Sequence, residues 1–95
     1  MADIYQALAD STRRIILDEL NKREGQTLFE LLGRLAMAHD ITSSRQAVSQ
    51  HLAVLEEVGL VRTRRQGRTK LHWFDGTPLK KVVTRWPIPR GKPKR

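Results

Sequence analysis

The stretch SRQAVSQHLAVLEEVGLV, residues 44–61, decides the fold, and the basic segment RTRRQGRTK, residues 62–70, follows it directly. Val48, Leu52 and Leu55 recur at the three- and four-residue spacing that is typical of a helix with one buried face. The spacing therefore predicts a helix of about four turns that packs this stripe against the rest of the domain.

Both ends of this helix carry sequence signals. Ser43 or Ser44 is suited to cap the start, and Ser43 with Gln46 fits a capping box. At the other end, Gly59 is suited to the left-handed position after the last turn, with Leu60 folding back onto the helix in a Schellman contact. We therefore expect the helix to begin and end close to the limits of the quoted stretch.

The face opposite the apolar stripe has the composition of a helix that contacts DNA bases. At 100° per residue this face carries four short or polar side chains: Gln46, Ser49, Gln50 and Ala53. Such side chains reach base edges without bulk, whereas an ordinary surface helix usually carries Lys–Glu pairs. Glu56 and Glu57 are confined to the C-terminal end, away from the expected phosphate contacts. We therefore expect a recognition helix, with an ordinary surface helix as the alternative.

The segment after this helix places five positive charges in nine residues and contains no acid. Its flanks, LVRTRR and RTKLHWF, are rich in β-formers and predict two antiparallel strands with a turn near Gln66–Gly67. Val61, Leu71 and Trp73 are expected to pack against the helices. Four cations would then surround the tip of the hairpin and grip sugar-phosphate: Arg64, Arg65, Arg68 and Lys70.

Four further segments are predicted to be helical. They are DIYQALAD, STRRIILDELNKRE, TLFELLGRLAMAHD and the final TPLKKVVTRW. For the second of these, Asp10 or Ser11 is the expected N-cap and Gly25 the expected end. The third of these shows a clean core-facing stripe of Leu28, Leu31, Leu32 and Leu35. The predicted fold is mainly α with a small β-hairpin, a winged helix-turn-helix of about five helices plus a two-stranded wing.

The charge of the chain is divided sharply between its two parts. The 95 residues carry a net charge of +8, but residues 1–60 hold six Lys/Arg and nine Asp/Glu, whereas residues 61–95 hold twelve Lys/Arg and one acid, Asp75. Such asymmetry points to a surface that meets a polyanion, with nucleic acid as the leading candidate and an anionic membrane surface as a weaker one. The apolar runs are too short to span a bilayer, and the start lacks the pattern of a secretory signal, so a cytoplasmic protein is expected.

A chain of this length is expected to form one domain, residues 1–86, followed by a basic Pro-rich tail, residues 87–95, that is predicted to be disordered. The tail either adds a phosphate contact or only aids solubility. The first and last helices present more apolar surface than a small monomer needs, which predicts a homodimer interface from Ile4, Tyr5, Leu8, Leu79, Val82, Val83 and Trp86.

Metal and enzyme functions are not expected. The chain has no cysteine, and His39, His51 and His72 are too far apart to form a ligand pair on one helix. His39 is expected to interact with a helix dipole, and His51 to be partly buried beside the stripe. No nucleophile, base and acid are arranged for catalysis, and no Gly-rich phosphate loop is present, so neither a cofactor nor an enzyme activity is expected.

Two segments, LADSTRRIILDEL and SRQAVSQHLAVLEEVGLVRTRRQGRTKLHW, resemble the ArsR/SmtB family of bacterial winged-helix transcriptional repressors, and the likeness extends over about residues 4–86. The resemblance implies a homodimer that binds an inverted-repeat operator, usually at its own promoter, through an interface of first and last helices. By position, it implies a recognition helix with the DNA contacts Ser44, Arg45, Gln46, Ser49, Gln50 and His51, and a wing with Arg64, Arg65, Arg68 and Lys70.

The chain departs from that family in two places. The segment LFELLGRLAMAHD lacks the cysteine of metal-sensing members, and PLKKVVTRW lacks their Asp/His/Glu ligands, so no metal is expected. The linker AMAHDITSS is also a few residues longer, which predicts either a longer helix or an irregular turn. The predicted function is a sequence-specific regulator of transcription bound to duplex DNA, a repressor that acts as a homodimer on an inverted-repeat operator. It is expected to be associated with the bacterial nucleoid when bound. The alternative is a winged-helix module for protein or RNA contacts, with only non-specific DNA binding.

Overall fold

Five α-helices and one antiparallel hairpin make up residues 3–87, the part of the chain that the computed structural model describes. In chain order they are α1 (Ile4–Ala9), α2 (Ser11–Lys22), α3 (Leu28–His39), α4 (Arg45–Glu57), β1 (Val61–Gln66), β2 (Thr69–Phe74) and α5 (Lys80–Arg85). The predicted winged helix-turn-helix fold is confirmed. The predicted tail, apart from Pro87, lies outside the described residues.

The first three helices each begin with a side-chain cap. Asp10 caps α2 by accepting the N–H of Arg13 at 3.0 Å, which resolves the choice between Asp10 and Ser11. This hydrogen bond is the main reason that the pKa of Asp10 lies below its ordinary value. The prediction that Gly25 ends α2 is wrong, because the helix ends at Lys22 and an extended residue follows.

Gly25 instead lies in the loop between α2 and α3, and this loop pairs with the wing strand β2. Its φ of +75° turns the chain so that Gln26 pairs with His72 of β2 in an isolated antiparallel bridge. The buried side-chain amide of Gln26 donates to the carbonyl oxygens of Glu19 and Arg23, both at 2.9 Å, and so satisfies the end of α2. The buried ring of His72 donates from Nδ1 to the Gln26 carbonyl at 2.9 Å. This bridge ties the hairpin to the helices.

The linker before α4 is irregular rather than helical. Asp40 adopts a left-handed conformation (φ 56°) after the last turn of α3. Ser44 is the N-cap of α4, and its Oγ accepts the N–H of Ala47 at 3.0 Å. The predicted capping box between Ser43 and Gln46 is therefore wrong, because Ser44 occupies the cap position and the frame shifts by one residue.

The core lies where the apolar stripes of α2, α3 and α4 meet. Its fully buried side chains include Ile16, Leu20, Leu31, Leu35, Val48 and Leu55. The predicted Schellman end of α4 is confirmed, since Gly59 has φ +84° and the N–H of Leu60 bonds the carbonyl of Leu55 at 2.9 Å. Leu60 and Val61 are both buried, so the chain enters β1 from inside the core.

The hairpin carries a two-residue turn, Gly67–Arg68, one position later than predicted. Gly67 has φ +65° and Arg68 does not share a positive φ, the sign pattern of a type II′ turn. The prediction that Leu71 and Trp73 face the core is wrong, because successive residues alternate between faces and the buried residue between them is His72. The indole of Trp73 lies over Gly25 instead.

The C-terminal helix forms in two parts. Thr77–Leu79 form a single 3₁₀ turn that contains Pro78, and α5 begins only at Lys80. One continuous helix from Thr77, as predicted, is therefore wrong. The carboxylate of Asp75 accepts the N–H of Thr77 at 2.9 Å, and this bond is the main reason that the pKa of Asp75 is lowered.

A buried carboxylate joins α2 to α3. Glu19 Oε2 accepts from His39 Nε2 at 2.6 Å and from Lys22 Nζ at 3.4 Å, while Oε1 accepts from Arg34 Nε at 3.1 Å. The hydrogen bond from His39 lowers the pKa of Glu19 to about 2, although burial acts in the opposite direction. His39 lies in the last turn of α3, the helix-end position that was predicted, and its ring is in addition directed at this carboxylate.

We predict that Glu19→Gln removes an acid-dependent part of the stability. Since the folded pKa of about 2 lies below the ordinary value of 4.5 for a glutamate, the ionised carboxylate stabilises the fold above the unfolded pKa. That contribution, on the order of 3 kcal/mol, is lost as the pH falls towards the folded pKa. Urea unfolding from neutral pH to about pH 2 measures it. Asp18→Asn, an exposed neighbour on α2, is the matched control, and equal pH profiles for the two variants would contradict the prediction.

Candidate nucleic-acid interface

The outer face of α4 lies where the residue spacing predicted it. Since Val48, Leu52 and Leu55 are buried, the opposite side of α4 is turned to solvent. The exposed set is Ser44, Arg45, Gln46, Ser49, Gln50 and Ala53. This face carries one cation and no acid until Glu56, so hydrogen-bonding side chains and a methyl group are free for base edges in a major groove.

A cleft of about 530 Å³ joins this helix to the wing. Arg45, Ser49 and Ala53 line one side, and Arg68 and Lys70 line the other. Four of the ten predicted contact residues thus line this one groove. The other six lie outside its lining: Ser44, Gln46, Gln50, His51, Arg64 and Arg65. Arg64 instead shares the opposite face of the hairpin with Leu71.

The start of α3 forms the third wall of this cleft, which sequence patterns did not predict. Phe29 lines the cleft and is 83% exposed. The leucine stripe of α3 gave no signal for it, because Phe29 falls between Leu28 and Leu31 on the side turned away from the core. Only the packing of α3 against α4 and β2 places this ring beside the cationic groove.

The cations of the wing are unequally neutralised. Arg62 pairs with Asp75 at 3.3 Å, and Lys70 lies 3.9 Å from Glu56. Arg64, Arg65 and Arg68 are exposed and have no carboxylate partner among residues 3–87. These three guanidinium groups are therefore available for phosphate contacts.

Glu56 does not lie apart from the basic surface, contrary to prediction. Its carboxylate lines the cleft and accepts a hydrogen bond from the hydroxyl of Thr63 at 3.0 Å. Together with the longer contact to Lys70, this bond links the end of α4 to both wing strands. Glu57 stays exposed, as expected.

His51 lies on the edge of α4 that faces α2. It is half-buried, as expected, and its Nδ1 lies 3.2 Å from Nη1 of Arg13. Sequence reasoning missed Arg13, because an arginine in the first turn of an amphipathic helix looks like surface charge. Its contacts involve carbonyl oxygens and a ring from other helices, which no local pattern predicts.

The structure brings α1 and the end of α5 together into an aromatic surface. The rings of Tyr5 and Trp86 meet edge to face with centroids 6.1 Å apart, and the guanidinium of Arg85 lies 4.5 Å from the Trp86 ring. Tyr5, Val83 and Trp86 are exposed, whereas Leu8, Leu79 and Val82 are half-buried. Ile4 is buried in the core of the single chain, so it supports this surface from behind.

The described part of the chain contains neither a cluster of metal ligands nor a membrane-spanning helix. Within residues 3–87, no three His, Asp or Glu side chains are grouped as metal ligands. Over the same residues, none of the helices is long and apolar enough to cross a membrane.

The helix-turn-helix, the basic wing and the cleft between them define a winged helix-turn-helix DNA-binding protein. A family described as a helix-turn-helix domain matches residues 8–64. An "Uncharacterized HTH-type transcriptional regulator YuzN" of Bacillus subtilis is 47% identical over 83 residues, which cover 87% of this chain and 90% of the relative. The solved structure of an ArsR-like transcriptional regulator from Rhodococcus sp. RHA1 superimposes with a TM-score of 0.70 at 33% identity, covering 86% of this chain and 74% of that one.

A second relative, the HTH-type transcriptional regulator Rv2034 of Mycobacterium tuberculosis, is 40% identical over 83 residues, covering 84% of this chain and 68% of the relative. The chain belongs to the ArsR/SmtB-type winged helix-turn-helix transcriptional regulators, a family that binds DNA and is not enzymatic.

We predict that removing wing charge weakens DNA binding and flattens its dependence on salt. Each phosphate contact contributes about 0.9 to the slope of log K against log salt, so Arg65→Ala with Arg68→Ala should reduce the slope by roughly 2. Fluorescence anisotropy across salt concentrations measures it. The double variant Lys80→Ala with Lys81→Ala, exposed cations on α5, has the same charge change and should leave the slope nearly unchanged. Equal slopes of log K against log salt for the two variants would contradict a contact between the wing and DNA phosphates.

Proposed function

We propose that the chain is a repressor that acts as a homodimer on an inverted-repeat operator. The two copies of α4 enter successive major grooves, while the wings lie along the flanking sugar-phosphate backbone. The observation that carries this proposal is the cleft in which Arg45, Ser49 and Ala53 of α4 meet Arg68 and Lys70 of the wing. Specific DNA binding requires contacts to base edges, which recognise the sequence, and contacts to phosphates, which position the protein. The helix face is suited to the first kind of contact and the hairpin to the second.

The contact residues are assigned by their position on these two elements. Gln46, Ser49 and Gln50 face the bases, because amide and hydroxyl groups match the donors and acceptors of the major groove. Ser44, Arg45 and His51 lie at the start and edge of α4, next to the backbone. Arg64, Arg65, Arg68 and Lys70 contact phosphates from the wing.

The dimer interface is assigned to the surface formed by α1 and α5. Large apolar and aromatic side chains that stay exposed in a single chain are typical of association surfaces. Tyr5, Val83 and Trp86 form its exposed part, and Leu8, Leu79 and Val82 extend it inwards. The predicted member Ile4 acts from the core. A two-fold axis through this surface would set the two recognition helices apart by a fixed distance.

Anisotropy binding to the duplex upstream of the chain's own gene tests the proposal, with a random duplex of equal length as the control. Specific recognition predicts a preference of about 10³-fold or more for the promoter duplex. Equal and steeply salt-dependent binding to both would contradict it and leave a non-specific winged helix. In transcription from that promoter in vitro, added protein should lower the yield of transcript, whereas a rise would identify an activator.

We predict that Gln46→Ala weakens binding to the operator selectively. If the amide makes a bidentate base contact, the loss is on the order of 1–3 kcal/mol on the operator and far smaller on random duplex. Gln66→Ala removes the same amide group from the wing, which in this proposal contacts only the sugar-phosphate backbone of the DNA, and it should affect both duplexes alike. A loss of equal size on both duplexes would make Gln46 a backbone contact.

We predict that Trp86→Ala shifts the chain towards monomers. The substitution removes the exposed ring that packs against Tyr5, and aromatic side chains dominate the energy of many interfaces. Sedimentation at micromolar concentration measures the mass. Phe29→Ala removes an even more exposed ring elsewhere and should leave the mass unchanged; a parallel fall in both variants would locate the interface away from α1 and α5.

A further inference from the structure

Arg13 makes contacts with two helices other than its own. From the first turn of α2, its Nε donates to the carbonyl of Ala7 at 2.9 Å and its Nη2 to the carbonyl of Gln6 at 3.1 Å. Its Nη1 lies 3.2 Å from Nδ1 of His51 in the middle of α4. One guanidinium thus uses all three nitrogens to join α1, which carries half of the aromatic surface, to the recognition helix.

The contact with His51 fixes the state of the imidazole. A guanidinium only donates, so Nδ1 must accept and the ring proton must lie on Nε2. Nε2 of His51 has no hydrogen-bond partner among the described residues, and it is not fully buried. It is therefore an N–H donor open to solvent at the edge of the outer face of α4.

The contacts with α1 stabilise a helix that is too short to be stable alone. α1 has six residues, and isolated helices of that length do not persist in water. Gln6 and Ala7 are among its last four residues, whose carbonyls lack partners inside the helix. Arg14 supplies a third such contact, from Nη1 to the carbonyl of Leu8 at 2.7 Å, but it makes no contact with α4 among the described residues.

We infer that Arg13 is a positioning residue, which holds the ring of His51 as an Nε2–H donor for a DNA phosphate and locks the recognition helix to the dimerisation helix. The inference rests on the proposed function for its DNA partner. It adds a route by which the α1–α5 surface determines the orientation of α4. Arg13 itself need not touch DNA; it acts through His51 and α1.

The first experiment uses the free full-length protein and requires no DNA. Ring ¹⁵N shifts of His51 distinguish the Nε2–H from the Nδ1–H tautomer. The wild type and Arg14→Met should show Nε2–H, whereas Arg13→Met should show a mixture, because no donor then holds Nδ1. A mixture in the wild type, or an unchanged ring in Arg13→Met, would overturn the inference. Should Arg13→Met fail to fold by circular dichroism, Arg13→Leu is the second variant, and the same mixture is expected, because its side chain also has no donor for Nδ1.

The second experiment is a double-mutant cycle on the operator duplex. In the wild-type background, Arg13→Met should weaken binding by about tenfold more than Arg14→Met does. If Arg13 acts through the ring of His51, adding Arg13→Met to His51→Ala should weaken binding by less than about twofold relative to His51→Ala alone. Losses that add independently would overturn the route through His51. If the wild type shows no preference for the operator, the proposed function fails, and the tautomer in the free protein still decides whether Arg13 holds His51.

Discussion

The burial of one side of α4 is the constraint on which the rest of the structure depends. Val48, Leu52 and Leu55 occupy the junction with α2 and α3, and a helix that buries one stripe must turn its remaining residues to solvent. The same packing leads the chain through Gly59 and back into the core at Leu60, so β1 starts beside α4 and not elsewhere. The position of the wing relative to the recognition helix is thus a consequence of how this helix is buried.

Charge is arranged so that acids stabilise the scaffold, while three arginines of the wing have no carboxylate partner among the described residues. Glu19 is buried and satisfied by hydrogen bonds from Lys22, Arg34 and His39, which fixes α3 against α2. Glu56 lies in the cleft, where its contacts with Thr63 and Lys70 restrain the wing. An exposed ion pair of this kind contributes little to stability, so its effect here is to orient the hairpin. Arg64, Arg65 and Arg68 keep their charge for a polyanion, because no carboxylate of the described residues competes for them.

Much of the fold was predictable from local patterns, and the errors share a cause. The limits of α4, its Schellman end and the hairpin follow from residue spacing and turn chemistry, which act over a few residues. The capping box at Ser43 and the end of α2 at Gly25 were wrong because several nearby residues were chemically suitable and tertiary contacts selected among them. Leu71 and Trp73 are more apolar than His72, yet His72 faces the core because it bonds Gln26. The register of β2 is set by that bridge and not by hydrophobicity.

The sequence by itself determined the class of protein, since the periodicity of α4, the basic run after it and the sharp division of charge depend only on the order of residues. It also determined which side chains on α4 are exposed, because a helix has a fixed angle per residue. Only the tertiary structure decided which of these groups act together. The cleft that joins Arg45 to Arg68, the exposure of Phe29 beside it, the burial of Ile4 and the contacts of Arg13 all arise between elements distant in the chain. Such contacts leave no periodic trace in a single sequence, because each partner looks locally like an ordinary surface or core residue.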